Sequence, residues 1–475
     1  MLAFDKDKWH LRPTLDLIHA LNLPRIYLAL ALPLVVILSL LTQPLHAIDE
    51  PAHFLRATQL ANGDLLPVIG SDNRSTGSYH PLGLRKFIYY YGTGFPDYQE
   101  KVVISRNQLA QLYGIHAVGP NTYIDHSNTT IYFPIPYLGS ALGVVVARAF
   151  TDRPLIWMYG ARLISGLIAV FLTFAALRMA SGLRVLLFLV GLLPITLFQT
   201  ANLSADTLLI PGSMLTAVLI ERMLEPGKRG PVSLIAALVG TSLLGLGKLA
   251  YLPLIGLLPL ASLTSSRKLD NRTLMLFGVV LVVGAIGLSW DLAVRHLVFT
   301  TLDNPARQNI DVAQQMRMVQ DDPAVFIRAL WHTLTPHLMW LYAQSFSGLL
   351  IGWYDIFLPS SVVILNTWLL LCLMLFGQRT ASPTKMFSLI TLATVGGCAV
   401  LIFLLLYAQW NAVGALWISG FQGRYLLPMV PIAALVIPPV AISERLTARA
   451  PAAVAAWCLM LSGLTLIYVA RRYWI

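Results

Sequence analysis

Charge is scarce in this chain. Its 475 residues include 33 Lys and Arg and 22 Asp and Glu, so 12% are charged. Soluble globular domains carry about twice that share. With 57% apolar residues and a mean hydropathy of +0.69, this deficit excludes a disordered chain and a soluble enzyme. Cysteine is scarcer still. Cys372, Cys398 and Cys458 all lie inside apolar blocks. None stands at disulfide or zinc-ligand spacing from another Cys or a His, so a disulfide-stapled secreted domain is excluded and the three read as buried small hydrophobes. Also missing are a Walker loop, a Rossmann glycine pattern, a Gly-x-Ser-x-Gly elbow and a zinc signature, which argues against nucleotide chemistry.

What the chain does have is apolar blocks of about 20 residues, each long enough to cross a bilayer as a helix. About eleven such blocks fit the chain, giving an all-α, polytopic membrane bundle that forms one domain over 1–475. Residues 1–24 are polar, and no small-residue cleavage site follows the first apolar block, so that block reads as a retained helix.

The net charge of +11 does not form a nucleic-acid patch. Its basic residues sit in short breaks at 178–184, 221–229, 267–272, 379–385 and 444–449, with 12 Lys or Arg against 4 acids. Placing these breaks on the cytoplasmic side satisfies the positive-inside rule. The N-terminus is then cytoplasmic. Residues 44–152 form a long external loop expected to carry juxtamembrane helices, and 293–359 form a second external segment. The apolar stretch 131–150, broken by Pro134 and Pro136, is expected to be short or re-entrant. This arrangement puts the C-terminus outside, against which the basic pair Arg471-Arg472 counts.

The external segments hold the unusual residues. Asp49 and Glu50 open a short surface helix, with His53 and Arg56 within about a turn of them. Asp49 is a good N-cap and Glu50 suits a helix N-terminus, so both admit a structural reading beside a chemical one. Asp206 lies between two spans with no basic neighbour in sequence, either capping the next helix or serving function. Lys248 stands alone between apolar runs, where it would snorkel or neutralise a phosphate. In Gln422-Gly423-Arg424-Tyr425, the arginine suits bidentate phosphate contact or anchors the chain at the interface beside Tyr425.

Five stretches together carry a resemblance. They are Asp49-Glu-Pro-Ala-His-Phe54, Asn128-Thr-Thr-Ile-Tyr-Phe-Pro-Ile-Pro-Tyr-Leu138, the run from Leu192-Leu-Pro to Leu203-Ser-Ala-Asp206, Gly352-Trp-Tyr-Asp-Ile-Phe-Leu-Pro359 and Gln422-Gly-Arg-Tyr-Leu-Leu-Pro428. In this order they resemble the bacterial membrane family known as domain of unknown function 2142, a branch of the GT-C glycosyltransferase superfamily. The resemblance implies a GT-C-like fold in the bacterial cytoplasmic (inner) membrane, with its active site on the outer face. It implies a polyprenyl-phosphate sugar donor (undecaprenyl phosphate as the carrier) and a cell-surface glycan or lipid acceptor, with membrane lipids around the protein and no nucleic acid. Asp49 matches the superfamily's essential first-loop acid, Glu50 the second acid, and Asp206 the acid of the second external loop.

On that reading Asp49 is the general base, Glu50 its catalytic partner, and Arg424 or Lys248 contacts the donor phosphate. His53, Arg56, Asp206, Gln422 and Tyr425 join the substrate site. No cofactor is certain. If a divalent metal takes part, Asp49, Glu50 and Asp206 are its hard-oxygen ligands. A transporter or flippase of lipid-linked sugars is the rival, and would need charges within the spans or repeat symmetry. A polysaccharide ligase or polymerase would share the donor and the outer-face site.

Overall fold

A computed structural model describes residues 21–72, 75–90, 104–225, 233–297, 310–349, 356–377, 380, 383–438, 440 and 443–474. The protein is mostly helical (74%). Among the described residues, seven helices are long and apolar enough to cross a membrane: Leu23–Leu41, Pro154–Met179, Asp206–Leu224, Leu249–Ser266, Asn271–Leu297, Lys385–Trp410 and Glu444–Tyr473. The pair Arg184–Leu192 and Pro194–Ala201 makes an eighth if it counts as one span bent by 62°. The bend falls where Pro194 removes a backbone donor and holds Leu193 extended, at ψ 140°.

Three shorter apolar helices, Ile135–Arg148, Leu234–Gly245 and Ser360–Phe376, complete the set. The apolar stretch that follows Gln422 does not begin as one long helix. A 3-10 turn over Gly423–Met429, with Pro428 inside it, leads into the short helix Val430–Ala434.

The centre of the bundle is Asp206–Leu224, whose apolar window is 94% buried. Its glycine permits the tight crossing with Leu234–Gly245, because a Cβ on Gly212 would stand 2.4 Å from the Leu243 Cβ. Pro154–Met179 packs beside it. Along its first turns runs the antiparallel helix Leu138–Arg148, in contact through Gly143 and Gly160. The interruption foreseen at 131–150 is therefore real, and the helix after it is too short to count as a full span.

The long segment 44–152 differs from the helical expectation in one respect. Besides helices such as Glu50–Ala61 it holds a three-stranded antiparallel sheet, β1 (Val68–Ile69), β2 (Thr76–Pro81) and β3 (Asn121–Asp125), in that order. Gly77 pairs with Asp125 and with Val68. A Cβ on Gly77 would fall 2.0 Å from the Ile124 carbonyl oxygen, so glycine permits this register. Segment 293–359 folds largely as the helices Val312–Asp321, Pro323–Thr333 and Pro336–Ser347. Its stretches 298–309 and 350–355, including much of the Gly352–Pro359 motif, lie outside the described residues.

Contacts between helix ends define two poles. At one, the Trp474 indole donates to the Leu41 carbonyl (2.7 Å), and the Gln43 amide donates to the carbonyls of Ile104 and Tyr473. The C-terminus thus lies at the Asp49 pole, despite its basic pair. At the other, Glu221 accepts the backbone N–H groups of Ser181 and Leu183, joining two of the basic breaks.

Candidate functional site

Four distant stretches converge at the Asp49 pole. Asp206 is the first residue of its helix, after Ala205 at the cap position, and its side chain does not cap. It is buried and pairs with two cations. Lys248 Nζ donates to Oδ1 at 2.7 Å, and Arg424 Nε lies 3.2 Å from Oδ2. Lys248 stands in the break between Leu234–Gly245 and the 3-10 turn Leu249–Tyr251. Instead of snorkelling it sits over the Tyr425 ring, 4.2 Å from the centroid. Arg424 is 5% exposed, which excludes the role of interfacial anchor.

The Gln422–Tyr425 segment is fixed from behind. The Gly423 N–H donates to Ser345 Oγ (2.7 Å), and the Tyr251 hydroxyl donates to the Tyr425 carbonyl (2.8 Å). A Cβ on Gly423 would stand 2.0 Å from the Tyr342 carbonyl oxygen, so only glycine brings this backbone close enough to aim Arg424 at Asp206. Gln422 is buried, and its Oε1 has no hydrogen-bond partner among the described residues.

Asp49 occupies the cap position of Glu50–Ala61, yet its side chain caps nothing there. Its backbone is left-handed, φ 57°, a conformation Asp tolerates better than most residues. Its carboxylate is half-buried, and the Asn128 amide donates to Oδ1 at 3.3 Å. The charge of Asp49 is felt by Lys248 and by the phenols of Tyr132, Tyr137 and Tyr425. Asp49 therefore belongs to the same polar cluster as Asp206, Lys248 and Arg424. His53 does too. Its Nδ1 lies 2.8 Å from the Tyr137 hydroxyl. Burial, reinforced by the positive charge of Arg424, lowers its pKa to about 3 and keeps the ring neutral.

Two residues expected at the reaction are committed elsewhere. Glu50 is fully buried. Both its oxygens are gripped by Arg162, at 2.7 and 2.6 Å, and it also accepts the Leu203 N–H at 3.3 Å. Arg56 is equally buried and donates to Gln59 Oε1 and to the carbonyls of Leu65 and Tyr132. These are tasks of architecture, because every one of these partners belongs to the protein. Glu50 is held by Arg162 and Asp206 by Lys248 and Arg424, and no group of three or more His, Cys, Asp or Glu suited to a metal occurs among the described residues.

Sequence alone gives Asn128, Tyr132, Tyr137, Tyr251 and Arg162 no role. Arg162 carried a usable signal, being the only arginine in the apolar run 154–177.

The fold and the cluster define a polytopic helical membrane protein with a buried, mixed-charge polar site at one pole. More narrowly, the family described as "Predicted membrane protein (DUF2142)" matches residues 32–433, and the chain belongs to that family. No curated protein and no solved structure matches it.

Proposed function

We propose that the protein is a GT-C-type glycosyltransferase that moves a sugar from a polyprenyl-phosphate donor to an extracytoplasmic glycan or lipid acceptor. The observation that carries this reading is the convergence of Lys248 and Arg424 on Asp206 beside Asp49. The Asp206–Lys248–Arg424 group sets two cationic side chains against one carboxylate at a buried helix start, which suits a lipid-linked phosphate. The two cations are prealigned by Asp206, so they need little reorganisation to meet a phosphate.

In the reaction, the acceptor hydroxyl oxygen attacks the anomeric carbon as the bond from that carbon to the phosphate oxygen breaks. Asp49 takes the hydroxyl proton, and the departing phosphate keeps the bonding electrons under Arg424 and Lys248. Nothing in this scheme needs a nucleotide, in keeping with a sequence that holds no nucleotide motif. The proposed setting is a bacterial inner membrane with the Asp49 pole outward.

Arg162, a charge inside a span, would favour a transporter, but its guanidinium is locked by Glu50 and by the Ser39, Thr42 and Gln43 carbonyls and is not free to move with a cargo.

The test is Asp49→Asn in the native host, with surface polysaccharide analysed by mass spectrometry and membrane insertion followed by immunoblot. Loss of one sugar modification with normal insertion is the expected result. An unchanged glycan would overturn the role of Asp49.

A further inference from the structure

After the helix Glu50–Ala61 the chain runs Asp64-Leu-Leu-Pro-Val-Ile-Gly70. Within an otherwise polar segment, Leu65, Leu66, Val68 and Ile69 are 58, 52, 41 and 40% exposed. A run of exposed apolar side chains marks an interaction surface. Nor is it a loosely placed loop. Arg56 donates to the Leu65 carbonyl (3.0 Å), Gln59 donates to the Leu66 carbonyl (2.9 Å), and Val68 and Ile69 pair with β2. Buried polar groups hold the backbone, and the apolar side chains are held outward.

The depth of this surface can be read from the same arginine. The Arg56 guanidinium lies over the Trp290 ring, 5.7 Å from its centroid, and the Trp290 indole donates to the Ile131 carbonyl at 2.9 Å. Trp290 is near the end of the span Asn271–Leu297. Around it the span still exposes Leu288 and Leu292, at 60 and 61%, while the exposed ion pair Asp291–Arg295 appears at the same level. A tryptophan among apolar and charged exposed residues at a span end marks the membrane–water interface. Leu65 is one guanidinium away from that tryptophan, so it lies at interfacial depth.

We propose that Leu65–Ile69 is a membrane-insertion element whose four apolar side chains enter the interfacial layer of the leaflet at the Asp49 pole. Its occupant is lipid, because the patch holds no charged residue from 65 to 69 and is tied through Arg56 to Trp290 on the span Asn271–Leu297, whose Leu288 and Leu292 are themselves exposed. Insertion also shields β1, an edge strand that water would leave open to pairing with other chains. It fastens the far end of Glu50–Ala61, whose near end is fastened by Arg162. This assignment does not depend on the glycosyltransferase reading.

The test places a bimane fluorophore on Leu66→Cys, and separately on Ile69→Cys, in the full chain with Cys372, Cys398 and Cys458 changed to alanine. The protein is held in phosphatidylcholine–phosphatidylglycerol nanodiscs. Blue-shifted emission, lost largely to doxyl-labelled lipid and little to aqueous iodide, is the expected result. Water-like emission quenched by iodide would overturn the proposal. So would protection from both quenchers, which would mark a protein contact instead. In the native-cysteine background, a photoreactive benzoylphenylalanine at position 66 should cross-link to phospholipid, and exclusive cross-linking to protein would count equally against insertion.

Discussion

Arg162 grips both carboxylate oxygens of Glu50, at 2.7 and 2.6 Å, where neither side chain reaches solvent. The other guanidinium N–H groups go to the carbonyls of Ser39, Thr42 and Gln43. Those carbonyls end the first membrane helix, so one side chain closes that helix, satisfies a buried acid and fixes the start of the Asp49 helix. Breaking a buried pair from one side costs about 3–5 kcal/mol. Arg162→Met should therefore lower the thermal unfolding midpoint in detergent well beyond Glu50→Gln, which keeps an acceptor for the guanidinium. Equal midpoints for the two variants and wild type would show that the pair carries no such load.

Lys248 and Arg424 share Asp206 but differ in reach. Lys248 offers a point charge already bonded at 2.7 Å, whereas Arg424 is a planar fork attached to Asp206 at 3.2 Å through Nε. A hydrogen bond to a charged group contributes about 1.5–3 kcal/mol, so Arg424→Ala should raise the apparent KM for a lipid-phosphate donor about ten- to a hundredfold. Arg424→Lys should restore only part of it. A donor titration in which Arg424→Ala leaves KM unchanged would remove the phosphate role.

The extramembrane histidines predict a sensitivity to acid. Burial lowers His53 to about 3 and His80 to about 4, with Arg424 reinforcing the shift at the first and Arg148 at the second, and it lowers His126 well below its usual value. His80 and His126 flank the Ser78 hydroxyl at 2.6 and 2.8 Å. All three stay neutral in the folded protein, while in the unfolded chain each takes a proton near pH 6.5. Stability from these residues is present above about pH 6.5 and falls as the pH drops towards 4. Unfolding midpoints from pH 8 to pH 4.5 should decline, and His80→Asn should flatten the decline. A slope unaltered by that change would exclude His80 as a contributor.

Asp206 and Lys248 stand out in the sequence as charges alone among apolar neighbours, Arg424 as a bidentate cation beside a glycine, and the fold joins all three; Arg162 stands equally alone, yet its partner Glu50 cannot be read from spacing. Glu50 enters the chemical reading through the resemblance, as the second acid, and Arg56 through lying on the same short helix. The partner that claims Glu50 is 112 residues away, and local spacing gives no sign of it. The sheet was missed for a different reason. Thr76-Gly-Ser-Tyr-His-Pro81 has no apolar alternation, and its strand state depends on pairing with β3 rather than on a pattern of its own. Hydropathy likewise does not register that Pro428 sits inside a 3-10 turn.

Gly423 offers a way to disturb the cation site without touching a charge. Its missing side chain lets the backbone approach the Tyr342 carbonyl, where a Cβ would be 2.0 Å from the oxygen and 2.9 Å from the Phe346 Cβ. Neither neighbour is the far end of a flexible side chain, so Gly423→Ala must push the Gln422–Tyr425 segment away. The Gly423 N–H would then leave Ser345 Oγ, and Arg424 would draw back from Asp206. Because Arg424 itself is retained, the expected phenotype is a raised donor KM resembling that of Arg424→Ala, in a protein that still inserts. Combining Gly423→Ala with Arg424→Ala should then cost little more than either change alone, since both remove the same contact. Fully additive losses in the double variant would show that the glycine acts elsewhere.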